Sequence, residues 1–451
     1  MEQLTAFQTE LLPMQEIFSM ENLKTAWKQV RRNGGAAGAD GVKARELPPC
    51  PGEYWEKLRE DILNRKYKPM PAKRVDIPKP DGTKRGLNIP TSRDRVVQAC
   101  LANYLDYAKD FDMSKGSYGF RKHRRCEQAI LKGLEYMNDG YDWIVDIDLR
   151  KFFDTVDQDR LIRLVDKTFQ NSGVTALTRK FVTAGVMING ETIKTDIGIP
   201  QGGPLSPVLA NLYLDQADKE LEKRGLKFTR YADDLLVYVK SEAAANRVMK
   251  SFSRFLEQKL KLIVNVTKSR VDRPDGLKYL GFTFKRNWKT GRWEAKAHQK
   301  SMDRLEEKIM ELTRRNWGIS LDERITKINQ VIRGWCNYFQ CAWIPKRFLR
   351  GLDQKIRRRT RAIIWKQWKT TARRKWGLVK LGCPKREAYM LACTRKSYTR
   401  CSYSFLNAFI KNEHLKRKGL QSVEEYFSRV SNGFHERIER TAYCRTARWV
   451  V

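Results

Sequence analysis

Two adjacent carboxylates stand at a tight turn between two apolar stretches of the chain. The sequence Tyr231-Ala-Asp-Asp234 follows Phe-Thr-Arg and precedes Leu-Leu-Val-Tyr-Val, so residues 228–239 are predicted to form two strands joined at Ala232-Asp233. Paired carboxylates at such a hairpin are costly unless a cation neutralises them, and Mg²⁺ prefers one or two carboxylates together with phosphate oxygens. The alternative is an ordinary turn, because Asp tolerates turn geometry. Either interpretation commits this part of the chain to a β-sheet.

A second acidic strand favours the metal interpretation. Residues 141–149 (YDWIVDIDL) are predicted to form a strand in which Asp146 and Asp148 alternate, so both side chains point to one face. If this strand lies beside the hairpin, three carboxylates converge, and such a cluster can hold two cations about 3.5–4 Å apart. Cations placed in this way activate an attacking hydroxyl and stabilise a leaving pyrophosphate. A capping or solvent-facing role is the alternative for Asp146.

A segment rich in glycine and proline precedes an apolar helix. In Gly198-Ile-Pro-Gln-Gly-Gly-Pro-Leu-Ser-Pro207, the glycines at 202 and 203 let the backbone approach a ligand closely. The N-terminus of the helix that follows favours phosphate. By itself the segment is a generic turn, but beside two acidic motifs it indicates a ligand that carries phosphate.

The order of predicted elements gives the fold class. In the first 290 residues, short β-rich runs alternate with helices, which predicts an α+β sheet with helices packed on one face. A long helix is predicted over 241–260 and a further strand over 277–284. Later residues are helical, with helices predicted over 301–316, 321–341 and 345–369. The change in composition places a domain boundary near 290–300.

The chain carries a formal net charge of +37, which is best explained by a polyanionic partner, with nucleic acid as the default. Residues 291–451 hold 38 Lys and Arg against 14 Asp and Glu. Near Trp365 and Trp368, basic residues alternate with aromatic ones, as on surfaces that bind phosphates and stack on bases. The candidate nucleic-acid-binding residues are Arg357, Arg358, Arg361, Arg373 and Arg374.

Two alternatives to a nucleic-acid surface are a solvated helix face over core tryptophans and an acidic membrane surface. The membrane is disfavoured because no run of about 18 apolar residues is present. The nine cysteines are scattered and show no zinc-ligand spacing. Reduced thiols in the cytoplasm are therefore expected.

Seven motifs in order resemble those of reverse transcriptases, specifically the group II intron-encoded kind (intron maturases) in the compact bacterial form without an endonuclease domain. They are 74–90 (RVDIPKPDGTKRGLNIP), 116–121 (GSYGFR), 146–154 (DIDLRKFFD), 199–207 (IPQGGPLSP), 231–234 (YADD), 265–268 (NVTK) and 277–282 (LKYLGF). The resemblance implies a right-hand polymerase whose fingers and palm consist of an antiparallel sheet plus helices, followed by an α-helical thumb and a small C-terminal helical domain.

The resemblance also implies domain ranges. They are 1–70 for an N-terminal extension and the start of the fingers, 71–290 for fingers and palm, 291–385 for the helical thumb or maturase domain, and 386–451 for a basic, DNA-binding-like region.

Residue roles follow from the same resemblance. It assigns catalysis and metal binding to Asp148, Asp233 and Asp234, and prefers Asp148 to Asp146 because the aromatic steric gate, Phe153, comes five residues later. Lys268 corresponds to a suggested proton donor for pyrophosphate. The residues implied in binding the deoxynucleoside triphosphate are Lys79, Arg85, Phe153, Gln201 and Gly202. Two Mg²⁺ ions are implied as cofactors, with Mn²⁺ as an alternative.

The implied function is to bind a group II intron RNA, assist its splicing and copy it into cDNA by target-primed reverse transcription. The implied partners are the intron RNA, an RNA template/DNA primer duplex, target DNA and deoxynucleoside triphosphates. One alternative is a splicing-only maturase, against which the intact carboxylates argue. Another is a retron, diversity-generating or defence-type reverse transcriptase, against which 331–339 (VIRGWCNYF) and the basic C-terminal region argue.

Overall fold

The computed structural model describes residues 12–78, 82 and 84–447, and only the backbone of Arg85 and of residues 439–447. The chain divides into two compact units, Met1–Arg273 and Pro274–Val451. The change in composition predicts the boundary later, near 290–300. The hairpin of residues 282–297 belongs to the second unit, where the Trp343 N–H donates to the Ala295 carbonyl at 2.7 Å. Contacts between residues so far apart in sequence leave no trace in local composition.

The first unit combines helices with two four-stranded sheets, which is the predicted α+β organisation. Its helices are α1 (Met14–Ile17), α2 (Met20–Asn33), α3 (Glu53–Leu63), α4 (Ser92–Lys109), α5 (Cys126–Asn138), α6 (Phe152–Thr155), α7 (Gln158–Phe169), α8 (Ser172–Val182), α9 (Ser206–Lys223) and α10 (Glu242–Gln258). Its strands are β1 (Ala72–Pro78), β2 (Lys84–Ile89), β3 (Trp143–Ile147), β4 (Val186–Ile188), β5 (Glu191–Ile193), β6 (Lys227–Tyr231), β7 (Asp234–Val239) and β8 (Arg270–Asp272).

The sheet that carries the acidic motifs has the strand order β6-β7-β3-β8 and is antiparallel throughout. The predicted hairpin is present: β6 and β7 pair as far as Tyr231 opposite Asp234, and the two residues between them form the turn. The predicted acidic strand is β3, which lies between β7 and β8. Both β3 and β7 are apolar in sequence because each is central in the sheet and largely buried.

Helix α9 lies beneath this sheet and contacts α4. It begins at Ser206 with a proline in its first turn, where the missing N–H costs no helical hydrogen bond. Its apolar residues are almost completely buried, and so are the polar side chains of Asn211 and Asp218. Buried polar groups need hydrogen-bond partners, so these two residues must contact other polar groups.

The second sheet has the order β2-β1-β4-β5 and contains the hairpin predicted from 74–90. Strands β1 and β2 are antiparallel, with Lys73 opposite Ile89. Strand β1 buries only its first residue, Ala72, so the hairpin has little core of its own. Lys79 lies outside the described residues.

The second unit consists of a short hairpin followed by helices. Its elements are β9 (Phe282–Arg286), β10 (Trp293–Ala297), α11 (Gln299–Leu312), α12 (Leu321–Tyr338), α13 (Lys346–Gln367), α14 (Thr371–Lys380), α15 (Lys385–Ala392), α16 (Tyr398–Tyr403), α17 (Phe405–Phe409), α18 (Asn412–Arg417) and α19 (Val423–Ala447). Helices α11, α12 and α13 correspond to the three predicted helices. The strand predicted from residue 277 begins only at Phe282, because Leu280 and Gly281 take left-handed backbone with φ of 50° and 81°.

Helices α12 and α13 both pack on α19. The carboxylate of Asp353 in α13 is buried and accepts hydrogen bonds from Ser422 Oγ at 2.6 Å and from the Val423 N–H at 2.8 Å. This contact satisfies free backbone donors at the start of α19. Among the residues that the structure describes, no helix combines the length and the apolar character needed to span a membrane.

Candidate active site

The acidic strand and the acidic hairpin meet at one end of the first unit's antiparallel sheet. Pairing of β3 with β7 places Ile147 opposite Leu235. The next residue beyond that pair is Asp148 on one side and Asp234 on the other. Asp146 lies two residues before Asp148, and alternation along a strand puts both on the same face. The register of the sheet thus brings the carboxylates together, as the sequence predicts.

Burial and neighbouring negative charge raise the pKa of two of these carboxyl groups, Asp234 and Asp146. Loss of hydrating water, with the charges of three neighbouring carboxylates added, raises the pKa of Asp234 to about 7. The neighbours are Asp233, Asp146 and Asp148. Burial likewise raises the pKa of Asp146 to about 6, while the charge of Arg270 opposes that shift. The end of the sheet therefore holds more negative charge than the surrounding side chains neutralise.

Asp148 and Asp146 have different partners although they share a face. Asn265 Nδ2 donates to Asp148 Oδ2 at 2.8 Å, and Lys268 Nζ lies 3.9 Å from the same oxygen. Asp146 faces Arg270, whose Nε lies 3.8 Å from Asp146 Oδ2. The structure thus places the predicted proton donor, Lys268, beside Asp148. That function of Lys268 stays a prediction.

The donor set has the chemistry of a magnesium site. Asp148, Asp233 and Asp234 offer only oxygen atoms, which Mg²⁺ prefers, and burial with the neighbouring carboxylates raises the pKa of Asp234, a shift that a bound cation would oppose. In the rotamers observed, no three Asp, Glu, His or Cys side chains of the described residues are arranged to hold one ion. Asp148 Oδ2 accepts from Asn265, so at least one carboxylate would have to rotate for three of them to hold one ion.

Phe153 lies in α6, between the acidic strand and the glycine-rich segment. Lys151 adopts left-handed backbone, with φ of 48°, and turns the chain into this short helix. The Phe153 carbonyl accepts from the Ile199 N–H at 2.7 Å, and a Cβ on Gly198 would press against the same carbonyl. The half-buried ring packs edge-on against Phe152, with 5.2 Å between centroids. Phe153 is therefore fixed beside the glycine-rich segment, and its steric-gate role stays a prediction.

The glycine-rich segment also contacts the β1–β2 hairpin. The Asn88 N–H donates to the Gln201 carbonyl at 2.6 Å. Gly202 has φ of 121°, and a Cβ there would overlap the Asn88 carbonyl, so the position accepts only glycine. Arg85 lies in β2 of the same hairpin. The nucleotide-binding roles of Arg85, Gln201, Gly202 and Lys79 stay predictions.

A buried arginine holds the acidic turn, Ala232-Asp233, and the motifs do not reveal it. Arg230 is 1% exposed, and its Nε and Nη2 donate to the two oxygens of Asp218 at 2.8 and 2.6 Å. Its Nη1 donates to the Ala232 carbonyl at 2.9 Å and to Asn211 Oδ1 at 3.0 Å. Ala232 has φ of 58°, a left-handed conformation that costs a residue with a Cβ roughly 1–2 kcal/mol. Arg230 thus ties helix α9 to the strained residue of the turn.

The loop of residues 116–121 contacts the acidic turn from a second direction. Ser117 Oγ accepts from Arg230 Nη2 at 2.8 Å. A Cβ on Gly119 would overlap the backbone nitrogen of Ala232, and the Gly119 carbonyl accepts from Asn211 Nδ2 at 2.8 Å. The small residues of this sequence motif therefore allow the loop and the turn to approach backbone to backbone.

A sequence signal for this network exists. Asn211 and Asp218 are seven residues apart, so they lie on one face of a helix whose other residues are mainly apolar. Arg230 interrupts an apolar strand directly before the acidic turn. Polar residues at positions that the apolar pattern assigns to a core imply buried partners, and these three satisfy one another.

One of the five predicted nucleic-acid-binding arginines is not available to a ligand. Arg361 is 3% exposed, and it donates to the Ile410 carbonyl at 2.7 Å and to Asn412 Oδ1 at 2.8 Å. It joins α13 to Ile410, which follows α17, and to the first residue of α18, so the prediction that it binds nucleic acid is wrong. The error arose because a charged residue was assumed to face solvent, although its neighbours Thr360 and Ala362 are buried. The four that keep solvent contact are Arg357, Arg358, Arg373 and Arg374.

Comparison with known families gives two matches along the chain. The model described as reverse transcriptase (RNA-dependent DNA polymerase) matches residues 77–284. The model described as group II intron, maturase-specific domain, matches residues 302–382. The first match contains the carboxylate cluster, the steric-gate candidate and the glycine-rich segment. The second spans α11 to α14.

Three curated relatives share this region. Protein YkfC of Escherichia coli (strain K12) is 30% identical over 283 residues, covering 54% of this chain and 74% of YkfC. The putative COX1/OXI3 intron 1 protein of Saccharomyces cerevisiae is 35% identical over 205 residues, covering 45% of this chain and 24% of that protein. The group II intron-encoded protein LtrA of Lactococcus lactis subsp. cremoris is 32% identical over 206 residues, covering 46% of this chain and 34% of LtrA.

The chain thus spans about three quarters of YkfC, but no more than about a third of the two intron proteins. The family predicted from the seven motifs is confirmed by the order of the two model matches and by these relatives. The chain belongs to the reverse transcriptases that carry a group II intron maturase domain, and its enzyme class is RNA-directed DNA polymerase.

Proposed function

We propose that the chain binds a group II intron RNA, assists its splicing and copies it into cDNA by target-primed reverse transcription. The observation that carries this proposal is the meeting of four carboxylates at the ends of β3 and β7, in a chain that also matches a maturase-specific domain. That second match favours an intron-encoded protein over a retron, diversity-generating or defence-type enzyme. The intact carboxylates favour an active polymerase over a splicing-only maturase.

The carboxylates and the residues beside them have different roles in the proposed nucleotidyl transfer. A pair of Mg²⁺ ions, or of Mn²⁺ ions, would supply the charge that activates the primer 3′ hydroxyl and stabilises pyrophosphate. Asp148, Asp233 and Asp234 would hold these ions, and Asn265 fixes the direction of one Asp148 oxygen. Lys268 is 67% exposed, so its ammonium can reach a leaving pyrophosphate and donate a proton to it.

The proposed partners are polyanions, in agreement with the net charge of +37. They are the intron RNA, an RNA template/DNA primer duplex, target DNA and deoxynucleoside triphosphates. Arg357, Arg358, Arg373 and Arg374 are the accessible candidates for phosphate contacts in the second unit. The cytoplasm is the proposed place of action, because intron transcripts and nucleotides meet there.

Phe153→Ala is expected to relax discrimination against ribonucleotides. Removing the ring leaves space for a 2′ hydroxyl, and steric rejection of this kind is worth roughly 10- to 100-fold in kcat/KM. The measurement is single-nucleotide incorporation of dATP and of ATP opposite the same RNA template. Phe153→Tyr, which keeps the ring, should preserve the selectivity. Unchanged selectivity in Phe153→Ala would remove Phe153 from this role.

Two assays on one preparation test the proposed function. In the first, the full chain extends a DNA primer on an RNA template with Mg²⁺ and deoxynucleotides. In the second, it is added to the group II intron precursor RNA transcribed from the DNA that flanks its gene, at a magnesium concentration where the RNA alone does not splice. We expect both activities. Splicing without extension would identify a splicing-only maturase, and extension without splicing would identify another class of reverse transcriptase.

A further inference from the structure

A cavity of about 710 Å³ lies within the second unit, bounded by α11, α13, α16 and the residues that follow α11. Its volume falls within the range of roughly 300–1,000 Å³ that is typical of small-ligand sites. Six cationic side chains line it: Arg314, Arg315, Lys355, Arg358, Arg359 and Lys366. Glu306 is the one carboxylate among the lining residues. The cavity therefore carries a large excess of positive charge.

Part of this charge is used within the protein. Lys355 Nζ pairs with Glu306. Arg359 Nε donates to Thr313 Oγ1 at 2.6 Å, and burial together with the charge of Arg315 lowers the Arg359 pKa. The positive charges of Arg315 and Arg359 are thus close enough to repel each other. No carboxylate among the lining residues remains to neutralise Arg314, Arg315 and Arg358.

Two of these arginines lie on tyrosine rings. The Arg358 guanidinium lies 4.4 Å from the centroid of Tyr403, and that of Arg315 lies 5.4 Å from the centroid of Tyr398. A ring attracts a guanidinium through its quadrupole but brings no negative charge, so the N–H donors of both arginines stay available to an anion. Tyr403 is 60% exposed, which leaves part of this ring open to a further planar group.

Guanidinium groups next to accessible aromatic rings suit the phosphate and the base of a nucleotide. Arginine binds phosphate oxygens through paired N–H donors, while tyrosine stacks on bases. A cavity of this size has room for one nucleotide. Stacking also requires an unpaired base, because both faces of a base inside a duplex are covered by its neighbours.

We propose that this cavity is a binding site for one unpaired nucleotide of RNA, with the phosphate on Arg315 and Arg358 and the base on Tyr403. The inference rests on the proposed function, which supplies intron RNA as the source of such a nucleotide. It adds a single-strand-specific site to a surface otherwise expected to contact phosphates without regard to pairing. A free nucleotide carries the same chemistry and is separated from RNA by the experiment.

The test measures binding of the full chain to a labelled 12-nucleotide single-stranded RNA and to a blunt RNA duplex of the same length. For the Arg315→Gln/Arg358→Gln double variant, we expect about 10-fold weaker binding of the single strand and a salt slope lower by about 0.7 for each phosphate that the variant no longer neutralises. Tyr403→Ala should weaken single-strand binding about 10-fold with an unchanged slope, since it removes stacking and no charge. Tyr403→Phe should bind as the wild type does.

Arg347→Gln is the matched control, because Arg347 is an exposed arginine of the same helix that does not line the cavity. We expect less than a two-fold change for this control with either RNA, and less than a two-fold change in duplex binding for Tyr403→Ala. Equally weakened binding of single strand and duplex by Tyr403→Ala would overturn the proposal, as would cavity variants no weaker than Arg347→Gln. Equimolar ATP that displaces the RNA would also overturn it, by showing a free-nucleotide site.

Primer extension by the same variants separates this proposal from the proposed function. Tyr403→Ala, which changes no residue proposed for catalysis or phosphate contacts outside the cavity, should extend a short primer on a saturating template at the wild-type rate. A wild-type chain that extends and splices, but whose cavity variants bind RNA normally, would refute only the cavity site. A wild-type chain without either activity would refute the proposed function whatever the cavity variants bind.

Discussion

Asp233→Asn is expected to abolish primer extension, lowering the rate by about a thousandfold or more. The substitution removes one charge from the cluster of Asp148, Asp233 and Asp234 that would hold the metal ions. Metal ions contribute several kcal/mol of transition-state stabilisation, and each 1.4 kcal/mol is tenfold in rate. Asparagine keeps the size and one oxygen of the side chain, so the turn itself should persist. Single-turnover extension with Mg²⁺ at several concentrations is the measurement.

The controls for this prediction use carboxylates of the same unit. Asp159 is exposed and pairs with Arg179 at 3.3 Å, so Asp159→Asn should leave extension unchanged. Asp146→Asn should cost much less than Asp148→Asn, because Asp146 faces Arg270 while Asp148 is held by Asn265. Full activity of Asp233→Asn would refute the site. Equal losses at positions 146 and 148 would include Asp146 in the metal site.

Asp218→Asn is expected to destabilise the first unit by about 3–5 kcal/mol and to lower primer extension as well. The pair with Arg230 is fully buried, and removing one partner leaves an uncompensated charge in the core. Extension falls because the guanidinium that donates to the Ala232 carbonyl is no longer anchored. Urea unfolding gives the change in stability. Asp159→Asn, at an exposed pair, should cost less than about 1 kcal/mol.

A double variant separates stability from positioning. Replacing both partners, as Arg230→Met with Asp218→Leu, leaves no buried charge and should recover much of the stability that Asp218→Asn loses. It should not recover extension, since nothing then donates to the Ala232 carbonyl. A double variant that is both stable and fully active would show that Arg230 only fills the core and does not position the turn.

The sequence predicted the elements of the first unit well because their signals are local. The apolar runs around Tyr231-Ala-Asp-Asp234 and the alternation at Asp146 and Asp148 follow from the two-residue period of a strand. Placing them side by side required the resemblance, since neither motif specifies which strands pair. The structure then showed that β3 pairs with β7 in the register that brings the carboxylates together.

What the sequence did not reveal depends on contacts between distant residues. Arg361 carries the same charge as its accessible neighbours, yet its position on α13 turns it toward Ile410. Arg230 and Asp218 contact each other only because α9 passes beneath β6. Residues 274–297 belong to the second unit, where the Trp343 N–H donates to the Ala295 carbonyl. A composition shift detects none of these contacts.

The close approach of Gly119 to Ala232 has a consequence for motion. The corner that carries Asp233 cannot shift alone, because the 116–121 loop abuts its backbone and Arg230 fastens it to α9. Helix, loop and corner must therefore travel as one rigid block. Any closure around an incoming nucleotide would have to come from elements outside this block, such as the sparsely packed β1–β2 hairpin, while the backbone of the turn that carries Asp233 stays in place.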